Sequence, residues 1–497
     1  VYLRKVFGKE DPAALLFSTA YALSGYLAAY NWNVMWLDCL ILLPLILLGA
    51  ERLGREGKWV MYTVTLGLCI LTNYYISIMI CIFLVLYFGM LLITEYHTMT
   101  EGQSQKVKTV FGRIGRFAFA SLLAGGLAAV LLIPEVCAIL RTDFGNSDFP
   151  GTLESYFSVF DMLARHCLCV TTERGLEHWP NIYCGVAVFL LVPMYALNEK
   201  ISVRKRFCNL ALAGFLLLSF GTNVLDFLWH GLNYPDSLPA RQSFLYIFLI
   251  LVMCYDAFRN VEGTSPRQII YGYLAAVIFL LACEKFVESE DFDTGIEVLT
   301  LVFVTIYGVL LYLYRTRKDE LTRQVLGILV LACVVAELSI NTFNTSLGTT
   351  GRSAYLGDQE DYKALYALAQ EQEGDDFFRI EKFTRKTKND GTLTGYPTAS
   401  VFSSTMNSNV MDLYKMLGMR HSKVYYGYDG ATAFVAALLN VDYMFGEADK
   451  YANGLYETVA NSGNIYLYRC KYTLPLWHLR DGMSQMRSVP ACGCRIS

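Results

Sequence analysis

Two polar stretches of this chain gather carboxylates, histidines, aromatic rings and arginine, the side chains that sugar-phosphate chemistry uses. Residues 140–181 contain Asp143, Glu154, Asp161, His166, Glu177 and His178, and residues 223–242 contain Asp226, His230, Tyr234 and Arg241. An aromatic ring can lie on the apolar face of a pyranose while a carboxylate or imidazole takes a proton from a hydroxyl. The planar fork of arginine binds two phosphate oxygens at once. Arg241 stands directly before an apolar run that includes Phe244, so it is the predicted phosphate contact, with Tyr234 and His178 at the same site; the alternative for Arg241 is a snorkelling anchor. Asp38 lies about one turn into another apolar run, where an unpaired carboxylate is costly. It is therefore predicted to face substrate or a cavity, against the plainer roles of capping or pairing. Asn73 and Tyr74, with Tyr75, are predicted to face the same vestibule, against membership of an aromatic belt.

Eleven apolar runs must position these groups: 13–30, 34–50, 59–73, 75–93, 117–139, 182–197, 207–222, 243–258, 268–286, 296–314 and 324–341. Most approach the roughly 17–25 residues that cross a hydrocarbon core. Between Trp59 and Ile93 no residue is charged, a length read as two spans joined at Asn73. With residue 1 inside, 20 Lys and Arg fall in inside connectors, and only Arg141, Arg165, Arg174 and Arg241 fall outside. That asymmetry is the positive-inside pattern of a chain threaded through a lipid bilayer. The predicted architecture is an α-helical polytopic membrane domain of about 11 transmembrane helices over residues 1–341. A small extracytoplasmic α/β or α+β domain over 342–475 and an atypical tail over 476–497 follow. Localisation is predicted as multi-pass in a cell membrane, with the later domain outside.

In the soluble part, helices are predicted at 359–372, 407–416 and 430–439, and strands at 377–383, 440–446 and 464–470. The hydroxyl and amide groups from Ser403 to Asn409 suit either sugar hydroxyls or a helix cap. Hydrophobic residues make up 54% of the chain and charged ones 17%, below the roughly 25% charged share of soluble domains. Nothing indicates nucleic acid as a partner. Most of the 14 cysteines lie in or beside apolar runs as small apolar side chains. The close pairs Cys167/Cys169 and Cys492/Cys494 are too few for a four-ligand zinc site. No metal ligand is predicted, and the need for a divalent ion is open. The start at Val1 rather than Met leads to the expectation of further sequence upstream.

The stretches YALSGYLAAYNWNVMWLDCLILLPLILLGAERL (21–53), LTNYYISIMICIFLVLYF (71–88), LPARQSFLYIFLIL (238–251) and FSSTMNSNVMDLYKMLGMRHSKVYYGYDGATAFVAALLNVDYMF (402–445) resemble the bacterial YfhO-like membrane proteins. The resemblance implies a glycosyltransferase-like membrane protein of the GT-C type. Such proteins take a sugar from a polyprenyl-phosphate carrier and place it on a cell-surface polymer such as teichoic acid, at the outer face of the membrane. It also implies a catalytic acid in the first outside loop. Here only about a dozen residues precede the first apolar run, so that loop is expected upstream of Val1 and no residue inherits the catalytic role. Asp38, Asn73, Tyr74 and Arg241 lie within the shared stretches.

Two rivals stand beside this reading. A lipid-linked sugar flippase calls for ionisable residues deep in several spans or for paired broken helices, whereas Asp38 and Glu337 are the clearest such residues and no internal repeat is visible. The other is a non-catalytic assembly factor whose outside domain binds cell-envelope polymer.

Overall fold

In hydrocarbon the backbone must satisfy its own hydrogen bonds, and a helix does so within one segment. The computed structural model describes residues 1–8, 11–96, 103–142, 148–235, 237–348, 350–447 and 450–473. Seven helical segments among these are long and apolar enough to cross a membrane: Ala13–Tyr30, Val34–Glu56, Tyr74–Tyr96, Gln103–Leu127, Pro266–Phe286, Thr294–Thr316 and Glu320–Thr345. Eleven spans were expected, and seven helices reach membrane length among the described residues. Runs 59–73 and 182–197 form the shorter helices Val60–Thr72 and Val188–Leu197. Run 207–222 falls in the helix Val203–Gly221, whose first turn carries Arg204, Lys205 and Arg206. Run 243–258 forms Ser243–Arg259, a helix of 17 residues of which 14 are buried, as an interior element of a bundle must be. Run 117–139 is divided between Gln103–Leu127 and Ala129–Ile139.

By its internal contacts the chain forms two units, one of Val1–Pro134 and Ser147–Gly348, the other of Glu135–Asn146 and Thr349–Ser497. The boundary expected after residue 341 falls inside the helix Glu320–Thr345. The segment 476–497 lies outside the described residues, as does Asp143.

Two buried carboxylates tie the helices of the first unit together. Glu51 Oε1 accepts from Tyr2 Oη at 2.5 Å and from Tyr87 Oη at 2.8 Å, while Arg55 pairs with its other oxygen at 2.9 Å. Glu337, 1% exposed, accepts from Tyr183 Oη at 2.8 Å, the Val186 amide at 2.6 Å and Tyr307 Oη at 2.7 Å. Close packing completes the bundle. A Cβ on Gly49 would stand 2.7 Å from the Tyr62 backbone, so only glycine lets Val34–Glu56 and Val60–Thr72 approach this closely. Glu337→Ala strands three donors and is expected to cost roughly 3 kcal/mol or more, read as a lower midpoint in thermal unfolding of the purified chain. Glu337→Gln keeps acceptors and is expected to lose less than half as much; equal losses would contradict the hub role.

Among its described residues the second unit carries seven strands: β1 (Arg379–Lys382), β2 (Val401–Phe402), β3 (His421–Ser422), β4 (Tyr425–Tyr426), β5 (Val441–Gly446), β6 (Tyr456–Ser462) and β7 (Ile465–Cys470). They form a four-stranded sheet in the order β1-β5-β7-β6 and a three-stranded sheet β2-β4-β3. Only β1 and β5 pair in parallel. Helix Gln359–Glu373 buries Tyr362, Leu365 and Ala369, and its core is completed by Ile380, Tyr443 and Leu467 from the large sheet. β6 and the small sheet were not expected from the sequence. Within the polar run 403–409, Asn407 caps the helix Ser408–Met416 by accepting from the Asn409 amide at 3.0 Å.

On β5, burial and then the neighbouring Glu373 push Asp442 up to about 6. The folded chain therefore holds this proton more tightly than the unfolded one. Its stabilising effect is full below the unfolded value of about 4 and is lost as pH rises through about 6. Asp442→Asn is expected to stabilise the chain by about 1 kcal/mol at pH 7.5, a gain that shrinks toward zero as pH approaches 4. Unfolding midpoints across that range check this, and a pH-independent gain would contradict it.

Candidate functional site

The polar stretch before Arg241 is built on a short helix, Asn223–Trp229. An extended segment docks against its start: the Glu154 amide donates to Asn223 Oδ1 at 3.0 Å, Asn223 Nδ2 to the Thr152 carbonyl at 2.8 Å, and the Tyr156 amide to the Gly221 carbonyl at 2.9 Å. This seats Tyr156 so that its hydroxyl donates to Asp226 Oδ2 at 3.1 Å. Burial, and then the Asp226 carboxylate, hold the Tyr156 hydroxyl well above the usual tyrosine range, so it stays a donor. One turn further on, His230 Nδ1 lies 3.0 Å from Asp226 Oδ1 and 2.8 Å from the Asp226 carbonyl. Nδ1 faces two acceptors and therefore carries the hydrogen; in the neutral ring Nε2 is then a lone pair.

Arg241 ends a loop held in unusual backbone geometry. Leu232, Leu238 and Ala240 all take left-handed conformations, with φ of 63, 59 and 49°, each costing of order 1–2 kcal/mol for a residue with a Cβ. The loop is pinned by Tyr30 Oη donating to the Pro239 carbonyl at 2.7 Å and by the Leu238 amide donating to the Arg174 carbonyl at 3.2 Å. The guanidinium donates to the Leu238 carbonyl at 3.0 Å, the Ser237 carbonyl at 2.9 Å and Tyr75 Oη at 2.7 Å. It also lies over the rings of Trp36 and Tyr75, 5.5 and 5.1 Å from their centroids. Three of the five N–H donors of an arginine are thus used, and the side chain remains partly exposed.

The starts of three long helices come together here. Trp36 is in the first turn of Val34–Glu56, Tyr75 in the first turn of Tyr74–Tyr96, and Arg241 stands one residue before Gln242, which directly precedes Ser243–Arg259. Helix starts carry partial positive charge and favour an anion. Nine buried side-chain polar atoms have no hydrogen-bond partner among the described residues, and five of them lie on residues in or near this region: Tyr26 Oη, His230 Nε2, Gln242 Oε1 and Nε2, and Ser243 Oγ. The Tyr75 ring links the two halves, with its centroid 6.4 Å from that of His230.

The sequence-predicted residues divide. Arg241 is at the centre. His178 stacks on Tyr156 with centroids 4.0 Å apart, next to Asp226, and Tyr234 packs at the edge against Phe227, 5.2 Å away. Asn73 is a helix cap, its Oδ1 accepting from the Ile76 amide at 2.9 Å. The ring that receives Arg241 is Tyr75, whereas Tyr74 is half-buried one position earlier. Asp38 is exposed, with no hydrogen bond or ion pair among the described residues. It lies two positions, about 200° of helix, from the inward Trp36, so it is not brought to Arg241. Tyr156, Trp36, Tyr26, Gln242 and Ser243 were missed; the available signal was the Arg-Gln-Ser triplet where an apolar run begins.

Elsewhere in the bundle an apolar cavity of ≈ 60 Å³ is lined by Leu16, Leu191, Leu251, Val334 and Glu337, among others. Its carboxylate already accepts three hydrogen bonds, so the chemistry belongs to the Arg241 cluster instead. Among the described residues no group of three His, Cys, Asp or Glu side chains is placed to hold a metal ion.

Membrane-length helices, two of which begin at a polar cluster, define a polytopic membrane protein. The chain belongs to the family described as bacterial membrane protein YfhO, which matches residues 1–487. That match runs into the segment 476–497. The chain is 22% identical over 475 residues to the uncharacterized protein YfhO of Bacillus subtilis (strain 168), covering 91% of this chain and 51% of the relative. It therefore spans about half the length of the curated relative that it matches. No solved structure matches the chain.

Proposed function

We propose that the chain is part of a membrane glycosyltransferase that takes a sugar from a polyprenyl-phosphate carrier and passes it to a cell-surface polymer such as teichoic acid. In this reading the Arg241 cluster faces the outer side of a bacterial membrane, as does the domain after residue 348, in keeping with the Lys and Arg asymmetry of the connectors. The observation that carries the proposal is Arg241 itself. It is held rigidly by two carbonyls and two aromatic rings, has two N–H donors without a partner among the described residues, and stands among helix starts that favour an anion. A phosphate bound bidentately there forms charge-assisted hydrogen bonds. The rings of Trp36, Tyr75 and Tyr156 supply apolar faces for a sugar.

Arg241→Gln is expected to weaken binding of undecaprenyl-phosphoryl-hexose to the chain in lipid nanodiscs by roughly 10- to 100-fold; unchanged affinity removes Arg241 from the site. The function is tested by deleting the gene and measuring sugar on the cell-surface polymers together with the lipid-linked sugar of each leaflet. Lost decoration with donor accumulating in the outer leaflet is the expected result. Accumulation confined to the inner leaflet would instead identify a flippase, and unchanged decoration a non-catalytic assembly factor.

A further inference from the structure

We propose that the outward face of the small sheet β2-β4-β3 binds a polyanionic chain, a polymer of polyols or sugars joined by phosphodiesters; the inference rests on the transferase reading above and gives its acceptor polymer a docking surface. The strands set the two faces. Side chains alternate along a strand, and Tyr426 turns inward, its ring centroid 4.3 Å from that of Tyr414 in a core with Met419 and Val435. Tyr425 therefore points outward, with Phe402 and Ser422 as its cross-strand partners. Phe402 is 46% exposed. Asn389 clamps its backbone, Oδ1 accepting from the Phe402 amide at 2.7 Å and Nδ2 donating to the Phe402 carbonyl at 3.1 Å.

Tyr425 gathers charge of one sign. Lys388 Nζ stands 3.2 Å from its ring centroid, and the Arg420 guanidinium meets its hydroxyl. Lys423 is exposed in the turn between β3 and β4. Two cations held on one ring repel each other, and little nearby offsets them. Lys388 and Lys423 have no ion pair among the described residues. Asp429 lies 4.0 Å from Arg420 and is already paired with Arg385, and residues 417–428 contain no Asp or Glu. An anion completes this arrangement: phosphodiester oxygens pair with Lys388 and Arg420, while the carbon skeleton of the next repeat lies on the Phe402 ring. A bilayer surface also attracts cations, but an interfacial element buries a row of apolar side chains, and Phe402 is the one exposed apolar residue on these three strands.

The test measures binding of deacylated poly(glycerol phosphate) to the full chain in nanodiscs of neutral phosphatidylcholine, with binding of undecaprenyl-phosphoryl-hexose and the unfolding midpoint read on the same samples. Lys388→Gln/Arg420→Gln is expected to weaken polymer binding roughly fivefold or more, and Phe402→Ser roughly threefold or more, with donor affinity and midpoint unchanged. Lys363→Gln/Lys471→Gln removes the same charge elsewhere in the unit and is expected to bind the polymer as the parent does. Parent affinity is expected to fall steeply between about 0.05 and about 0.5 M salt. Polymer affinity within about twofold of the parent in both site variants, or an equal loss in Lys363→Gln/Lys471→Gln, overturns the assignment. Phosphatidylglycerol vesicles that bind more tightly than the polymer, and that the site variants no longer bind, overturn it in favour of a lipid surface. A parent chain that binds the polymer through this face and transfers no sugar to it overturns the transferase reading alone and supports the docking surface.

Discussion

In a membrane interior a polar group without a partner costs several kcal/mol, and this constraint organises the helical unit. Glu51 and Glu337 meet it by accepting hydrogen bonds from tyrosines distant in the chain, three of them on other helices. The helices are thereby fixed in register at two buried carboxylates, and the same rule makes the exceptions conspicuous. Unpartnered atoms on Tyr26, His230, Gln242 and Ser243 collect around the Arg241 loop. Five of the nine buried polar atoms that lack a hydrogen-bond partner among the described residues thus lie in or near this one region.

The loop before Arg241 shows what holding such a site requires. Non-glycine residues in left-handed conformations are strained, and they persist only where surrounding contacts over-determine the backbone. Here those contacts come from Tyr30 and from the Arg174 carbonyl. The result is a guanidinium whose position does not depend on its own flexible stem. A fixed arginine loses less conformational freedom on binding than a snorkelling one, which favours binding over simple anchoring.

Much of the helical architecture was legible in the sequence because hydrophobic length and connector charge are local properties. Runs such as 34–50 and 324–341 reappear in membrane-length helices. In the shorter helices hydrophobicity marks burial in lipid and burial in protein alike, so the buried helix Ser243–Arg259 carries the same sequence signal as a span. In the site, Arg241 was legible from its place at the start of an apolar run. Asp38 and Trp36 show the limit, since depth along a helix can be read from sequence but the face a side chain presents depends on packing. The Tyr156 to Asp226 contact bridges 70 positions, and no local pattern announces it. His230 was visible four residues after Asp226, a spacing that places them on one helical face, but the open Nε2 is a property of the folded surroundings.

The most direct measurement is photo-crosslinking with a polyprenyl-phosphoryl sugar that carries a diazirine on the isoprene unit nearest the phosphate, followed by mass spectrometry of the labelled peptides. Labelling concentrated on peptides that contain Trp36, Tyr75 and residues 226–243, and competed by unlabelled donor, is the predicted result. Labelling confined to the apolar cavity beside Glu337 or to the sheet-bearing unit, with none near Arg241, would contradict the account.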